Sequence, residues 1–101
     1  MSYPEVIGFY EKQPSMVNGR AWYQNTKNDY AIYLADNGNW HINDKKYIGT
    51  SSSYIWTSGQ YMCPHNPNNR WKYWYMPNTK DQKVMEDPSL VVIGKYKYQV
   101  F

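Results

Sequence analysis

Residues 30–43 read YAIYLADNGNWHIN, and the alternation in this stretch decides the fold class. Successive side chains of an extended strand point to opposite faces, so Tyr30, Ile32 and Leu34 share one side. Asp36–Asn37–Gly38 is turn chemistry, because Asn-Gly accepts positive φ at both central positions of a type I′ turn. Beyond the turn, Trp40 and Ile42 fall on one face and His41 on the other. The stretch predicts a β-hairpin with one apolar face.

The same punctuation continues outward in both directions. Gly and Pro recur at intervals too short for long helices, and the runs between them are rich in Val, Ile, Tyr, Trp and Thr. Glu5–Tyr10 reads as a first strand, Lys12–Asn18 with Pro14 as a loop, and Arg20–Gln24 as a second strand. Asn25–Asp29 is a polar turn. Lys46–Ile48 fits a short strand, Gly49–Ser53 a turn and Ser53–Thr57 another strand. Pro64–Asn69 is a loop, since two prolines defeat regular structure. Trp71–Tyr75 is a strand with Trp71, Tyr73 and Tyr75 on one side and Lys72 and Trp74 on the other. Met76–Ser89 is polar, with room for one helical turn around Asp81–Glu86. Leu90–Ile93 is the purely aliphatic run and reads as a central strand buried on both faces. Lys95–Phe101 alternates, with Tyr96, Tyr98 and Val100 facing one way.

Short strands at this spacing predict one all-β domain over residues 1–101. A small antiparallel sandwich or open barrel of about six to eight strands fits. A chain of 101 residues has room for a single modest core. Aromatics make up 19% of it, and Leu occurs at Leu34 and Leu90 alone, so Trp and Tyr must build that core. Their N–H and O–H groups need partners when buried.

Asn18–Gly19–Arg20 with Tyr23, then Tyr30 and Tyr33, then Trp40 and Ile42 and a later Gly49, form a pattern of their own. It resembles a recurring small module of diverse eukaryotic proteins, notably of protists and marine invertebrates. Its form is N-G-R-x-x-Y, then Y-x-x-Y, then W-x-I, and the resemblance covers residues 6–49. It implies a β-rich interaction or structural module and carries over no catalytic residue.

Composition narrows the function classes. The net charge is +3 and the isoelectric point about 8.9. The lysines are dispersed, and the two arginines, Arg20 and Arg70, offer few bidentate phosphate contacts. Cys63 is the single cysteine, which excludes an intramolecular disulfide and favours a reducing, cytoplasmic setting. No signal peptide is readable, and no apolar run approaches the ~20 residues of a membrane span.

Chemistry-bearing residues are sparse. Cys63–Pro64–His65 would need His41 and a carboxylate such as Asp44 to complete a zinc site, and a Pro-Asn loop holds geometry poorly. Asp36, Asp44, Asp81, Glu86 and Asp87 sit where turns are expected, as solvated charges do. No phosphate-binding or nucleophile-elbow motif occurs. No catalytic residue, metal or cofactor is expected.

The ring surplus remains. Trp22 alternates with Tyr23, and Trp74 with Trp71, Tyr73 and Tyr75, so both faces of these strands carry rings. Either cross-strand ring pairs cover a wide, thin core, or some rings face outward for a partner. The second reading gives a non-enzymatic binding or scaffolding module with a protein as the expected partner. Its candidate surface is Trp22, Trp56, Trp71, Trp74 and Arg70, with Arg20 at the edge. Arg20 equally fits a turn-fixing stack on Trp22 or Tyr23, or a pair with Asp29. Polysaccharide is the alternative ligand. Single-stranded nucleic acid, held by Lys72, Lys95 and Lys97 beside rings, is the third. An aromatic edge strand at Lys95–Phe101 would also allow a homodimer by sheet extension.

Overall fold

The hairpin expected at residues 30–43 is the middle of a longer meander. The computed structural model describes residues 6–50, 55–57, 63–64, 70–75, 83–86, 92–94 and 97–100. Among them are nine strands: β1 (Gly8–Val17), β2 (Arg20–Asn25), β3 (Tyr30–Leu34), β4 (Trp40–Asp44), β5 (Ile55–Thr57), β6 (Trp71–Tyr75), β7 (Lys83–Glu86), β8 (Val92–Gly94) and β9 (Lys97–Val100). A 3-10 turn, Lys45–Tyr47, follows β4. Every pairing is antiparallel, in one sheet of order β7-β6-β5-β4-β3-β2-β1-β9-β8. The protein is all-β, as expected.

That order fixes the shape. Antiparallel pairing all the way from β7 round to β8 makes these two end strands point in the same direction. Five residues join Glu86 to Val92, a reach of about 21 Å at full extension. A flat nine-stranded sheet would hold its ends about 38 Å apart. The sheet therefore curls into a half-barrel, and the chain crosses the seam between β7 and β8. The link is also far shorter than the dozen or so residues that hydrogen-bonded parallel neighbours require. The molecule measures 40 × 26 × 25 Å, with two similar short axes, as a curled sheet demands.

The core fills the concave side. Ile32 opposes Ile42, Ile42 opposes Ile55, and Ile55 opposes Tyr73, giving one inward row across four strands. Tyr10 opposes Tyr98, and Val100 opposes Val92. Trp40 and Trp71 are buried among them. The rings find polar partners, as a Tyr-rich core must. The Tyr10 hydroxyl donates to the Val6 carbonyl at 2.6 Å. The Tyr98 ring lies 4.2 Å from that of Tyr23, and burial, reinforced by a hydrogen bond with Tyr23, pushes the Tyr98 hydroxyl pKa well above its usual value.

Several expectations are corrected by the register. Lys12–Asn18 is not a loop, because β1 runs to Val17 through Pro14. Lys12 pairs with Tyr23 and Met16 with Ala21, so Gln13, Pro14 and Ser15 together oppose Trp22. Pro14 has no N–H for a ladder, and a bulge is where a strand tolerates it. The type I′ turn sits at Asn18–Gly19, with φ of 51° and 81°. At Asp36–Gly38 the Gly38 N–H donates to the Ala35 carbonyl at 3.1 Å, and Gly38 alone there has positive φ, 85°. That is a type I turn closed by a left-handed glycine.

Lys45–Tyr47 is a 3-10 turn where a strand was expected over Lys46–Ile48. Lys83–Glu86 is strand where a helical turn was expected. Val92–Gly94 lies at an end of the sheet, and Ile93 is 48% exposed, so the aliphatic run is not a central, doubly buried strand. β9 is paired on both sides, by β1 and β8, and is not the edge that sheet extension would need. Ser53, Tyr54, residues 65–69, Asp81, Gln82, Leu90, Val91, Lys95, Tyr96 and Phe101 lie outside the described residues.

Thr57 closes the inward end of the β4–β5 ladder. Its fully buried hydroxyl accepts from the Trp40 N–H at 3.0 Å. Thr57→Val keeps the shape and strands that donor, so urea unfolding should show a loss of about 1–3 kcal/mol.

Candidate binding surface

The convex face carries a second set of rings. Tyr33 opposes His41, His41 opposes Trp56, Trp56 opposes Lys72, and Lys72 opposes Glu86, in one row from β3 to β7. Tyr23 opposes Ile32, which places Trp22 beside Tyr33 on the outer face. Trp22 and Trp56 are half-buried. Tyr33 and His41, between them, are 0% and 2% exposed although they point away from the core. Their rings stack, with centroids 5.8 Å apart.

A strap, residues 45–50, covers the Tyr33 side of this pair. It leaves β4 at Asp44, whose carboxylate accepts from the Lys46 N–H at 3.0 Å. Ile48 then packs on a small outer cluster of Ala31, Tyr33 and Ala35, together with Val17 and Trp22. Asn18, at the β1–β2 turn, holds the far end. Its Nδ2 donates to the Leu34 carbonyl at 2.9 Å and to the Gly49 carbonyl at 3.1 Å. The Lys45 N–H donates to the Asp29 carbonyl at 2.8 Å, and the Lys45 ammonium lies 3.7 Å from the Asp29 carboxylate. Each hydrogen bond is worth about 1 kcal/mol. The exposed ion pair adds about 0–1 kcal/mol.

The polar atoms of this outward-facing pair are poorly matched. Neither ring nitrogen of His41 has a hydrogen-bond partner. The Tyr33 hydroxyl has Asn43 and Thr50 as polar neighbours but makes a well-formed hydrogen bond with neither. Burial raises the Tyr33 hydroxyl pKa. Burial also lowers the His41 pKa from 6.5 to about 4, against a smaller opposing pull from Asp36. His41 is therefore neutral at pH 7.

The expected surface residues do not form one patch. Trp22 and Trp56 both lie on the outer face but three strand spacings apart, about 14 Å. Arg70 is exposed, its Nε 3.6 Å from the Glu86 carboxylate, which places it at the Lys72–Glu86 end of the row. Trp71 is 4% exposed and belongs to the core, so it leaves the surface. Trp74 pairs with Val84 in the ladder; its side chain lies outside the described residues. Arg20 is exposed at the start of β2, and Asp29, its expected partner, pairs with Lys45 instead.

Alternation already separated His41 from Trp40 and Ile42. The strap that packs on Tyr33 had no signal, because it depends on Asn18 meeting Gly49. A second exposed group went unread: Phe9, Gln99 and Ile93 align across β1, β9 and β8, with Phe9 47% exposed.

Cys63 is half-buried, and His65 lies outside the described residues. Among the described residues no three His, Cys, Asp or Glu gather as metal ligands. No helix among them is long and apolar enough to cross a membrane. No family model, curated protein or solved structure matches the chain.

A folded-state pKa below the unfolded one means that the unfolded chain binds more protons as the solution is acidified. The stability from neutral His41 is complete above about pH 6.5 and is lost as pH falls through 4. The full shift corresponds to at most about 3 kcal/mol. Between pH 7 and 4.5, urea unfolding should show the wild type losing on the order of 2 kcal/mol more than His41→Phe.

Proposed function

We propose that this chain is a non-enzymatic binding module that recognises a protein partner through the outer face of its curled sheet. The observation that supports this best is Trp56. It is half-buried, in register between His41 and Lys72, with the Arg70–Glu86 pair beyond. A large flat ring anchored in a rigid ladder, with Arg and opposite charges at its rim, has the make-up of an interface centre. Trp22 extends the surface on the far side of the strap, and its indole N–H donates to Ser15 at 3.0 Å, which fixes the ring. Arg20 lies at the margin.

An interface of this kind depends on few residues. Proximity labelling in cells followed by titration of the purified partner should show affinity falling at least about tenfold in Trp56→Ala. Thermal stability should stay close to wild type. Lys27→Ala, in the β2–β3 turn, should bind normally. Saturable glycan-array binding by the wild type that is lost in Trp56→Ala would make the ligand a polysaccharide instead. Retention on single-stranded DNA that fades steeply with salt would make it a nucleic acid.

A further inference from the structure

The β1–β2 turn carries chemistry of a different kind. We propose that Asn18–Gly19 is a site of spontaneous deamidation, and that conversion of Asn18 to aspartate or isoaspartate unties the strap Lys45–Thr50 from the sheet. Three observations meet at this residue. Asn18 is followed by a glycine, whose backbone nitrogen no side chain crowds. The pair forms an exposed two-residue turn, in which Asn18 is the one non-glycine residue with positive φ among the described residues, 51°. Its side-chain amide is also the fastening of the strap: Nδ2 donates to the Leu34 carbonyl at 2.9 Å and to the Gly49 carbonyl at 3.1 Å. One chemically labile group therefore joins the hairpin tip, the end of β3 and the strap.

The reaction balances with water alone. The Gly19 nitrogen gives up its proton to solvent base and attacks Cγ of Asn18. A nitrogen–Cγ bond forms, the Cγ–Nδ2 bond breaks, and Nδ2 takes up a proton and leaves as ammonia. The five-membered succinimide then adds water, at Cγ to give aspartate or at the Asn18 backbone carbonyl carbon to give isoaspartate. Val17 pairs with Arg20 across the turn, so the attacking nitrogen lies outside the ladder. Asn37–Gly38 is the other Asn-Gly pair in the chain, and its side chain touches no strap. There the Gly38 N–H donates to the Ala35 carbonyl at 3.1 Å, and Asn37 Oδ1 accepts from the Asn39 N–H at 3.0 Å. Attack at Asn37 must break the bonds of its own turn, whereas attack at Asn18 must break the hold on the strap.

Either product reverses that hold. A carboxylate accepts hydrogen bonds and donates none, so at position 18 it faces the Leu34 and Gly49 carbonyl oxygens acceptor to acceptor. Isoaspartate also adds a carbon to the main chain inside a turn of two residues, between the paired Val17 and Arg20. The strap keeps its anchor at the other end, where the Lys45 N–H donates to the Asp29 carbonyl at 2.8 Å. Release is thus confined to the Ile48–Thr50 end, where Ile48 packs on the outer cluster around Tyr33. The hold and the reaction oppose one another. While Nδ2 binds both carbonyls the side chain is fixed, and it must swing free for the ring to close. Hydrolysis then makes each such escape permanent.

Two measurements on the whole chain test this. The first is ageing at pH 8 and 37 °C, followed by tryptic mapping with electron-transfer fragmentation, which separates aspartate from isoaspartate. The peptide Gln13–Arg20 should gain both at position 18. Ile48→Ala, which loosens the strap, should speed that conversion several-fold and leave the rate at Asn37 unchanged. The second is amide hydrogen exchange on the aged protein and on fresh Asn18→Asp, which keeps the turn because aspartate also accepts positive φ. Ile48 and Thr50, whose N–H groups are bonded within the strap at 3.1 Å, should exchange about tenfold faster than in fresh wild type, as the loss of one or two hydrogen bonds requires. Ile32 and Ile42 in the ladder should stay protected. An Asn18 that stays intact under conditions that convert it in the urea-unfolded chain would overturn the proposal. So would wild-type strap protection in both the aged protein and Asn18→Asp, or loss of protection in strap and ladder together.

Discussion

Two strands at opposite ends of one sheet, held within reach of a five-residue link, set the form of this molecule. The link keeps the sheet from lying flat. Curling gives it an inside, and the inside is where Ile32, Ile42, Ile55 and the paired tyrosines meet. A single sheet of this size has no second layer to cover its apolar side. The fold therefore buries its core against itself.

Curvature leaves the convex side to be dealt with, and the chain covers part of it. Tyr33 and His41 point outward and yet are buried; the segment after β4 folds back, packs Ile48 on Tyr33 and is tied down by Asn18. The two sides differ in chemistry. Inside, buried hydroxyls find partners, as Tyr10 does with the Val6 carbonyl. Outside, both nitrogens of His41 remain unmatched. Buried polar atoms without partners are costly, and Asn25 Nδ2, opposite Tyr10, is another of them.

Much of the fold was legible in the sequence wherever one strand could be read from its own alternation. Tyr30–Leu34, Trp71–Tyr75 and the sidedness of Trp40, His41 and Ile42 needed nothing beyond neighbours in the chain. Non-local features did not show. Pro14 reads as a loop residue until the two-residue slip against β2 is known. Leu90–Ile93 reads as central because it is aliphatic, but Val92 turns inward while Ile93 meets water. Alternation put Trp71 and Trp74 on opposite faces without saying which face was inside, so Trp71 stood among the surface candidates. The outer face was half visible: Trp22 and Trp56 were named, but the burial of Tyr33 between them depends on contacts between residues far apart in sequence.

The bulge at Pro14 reaches beyond local geometry. β9 flanks β1 only along Gly8–Glu11, so the strand from Lys12 to Val17 projects past that neighbour with one flank unaccompanied among the described residues. An exposed flank of regular backbone invites strands from other molecules to dock and stack. Here the row of donors is interrupted by an imino acid, and the register slip bends the backbone out of line. The irregularity that hides this strand from a reader of the sequence also makes it a poor template for aggregation.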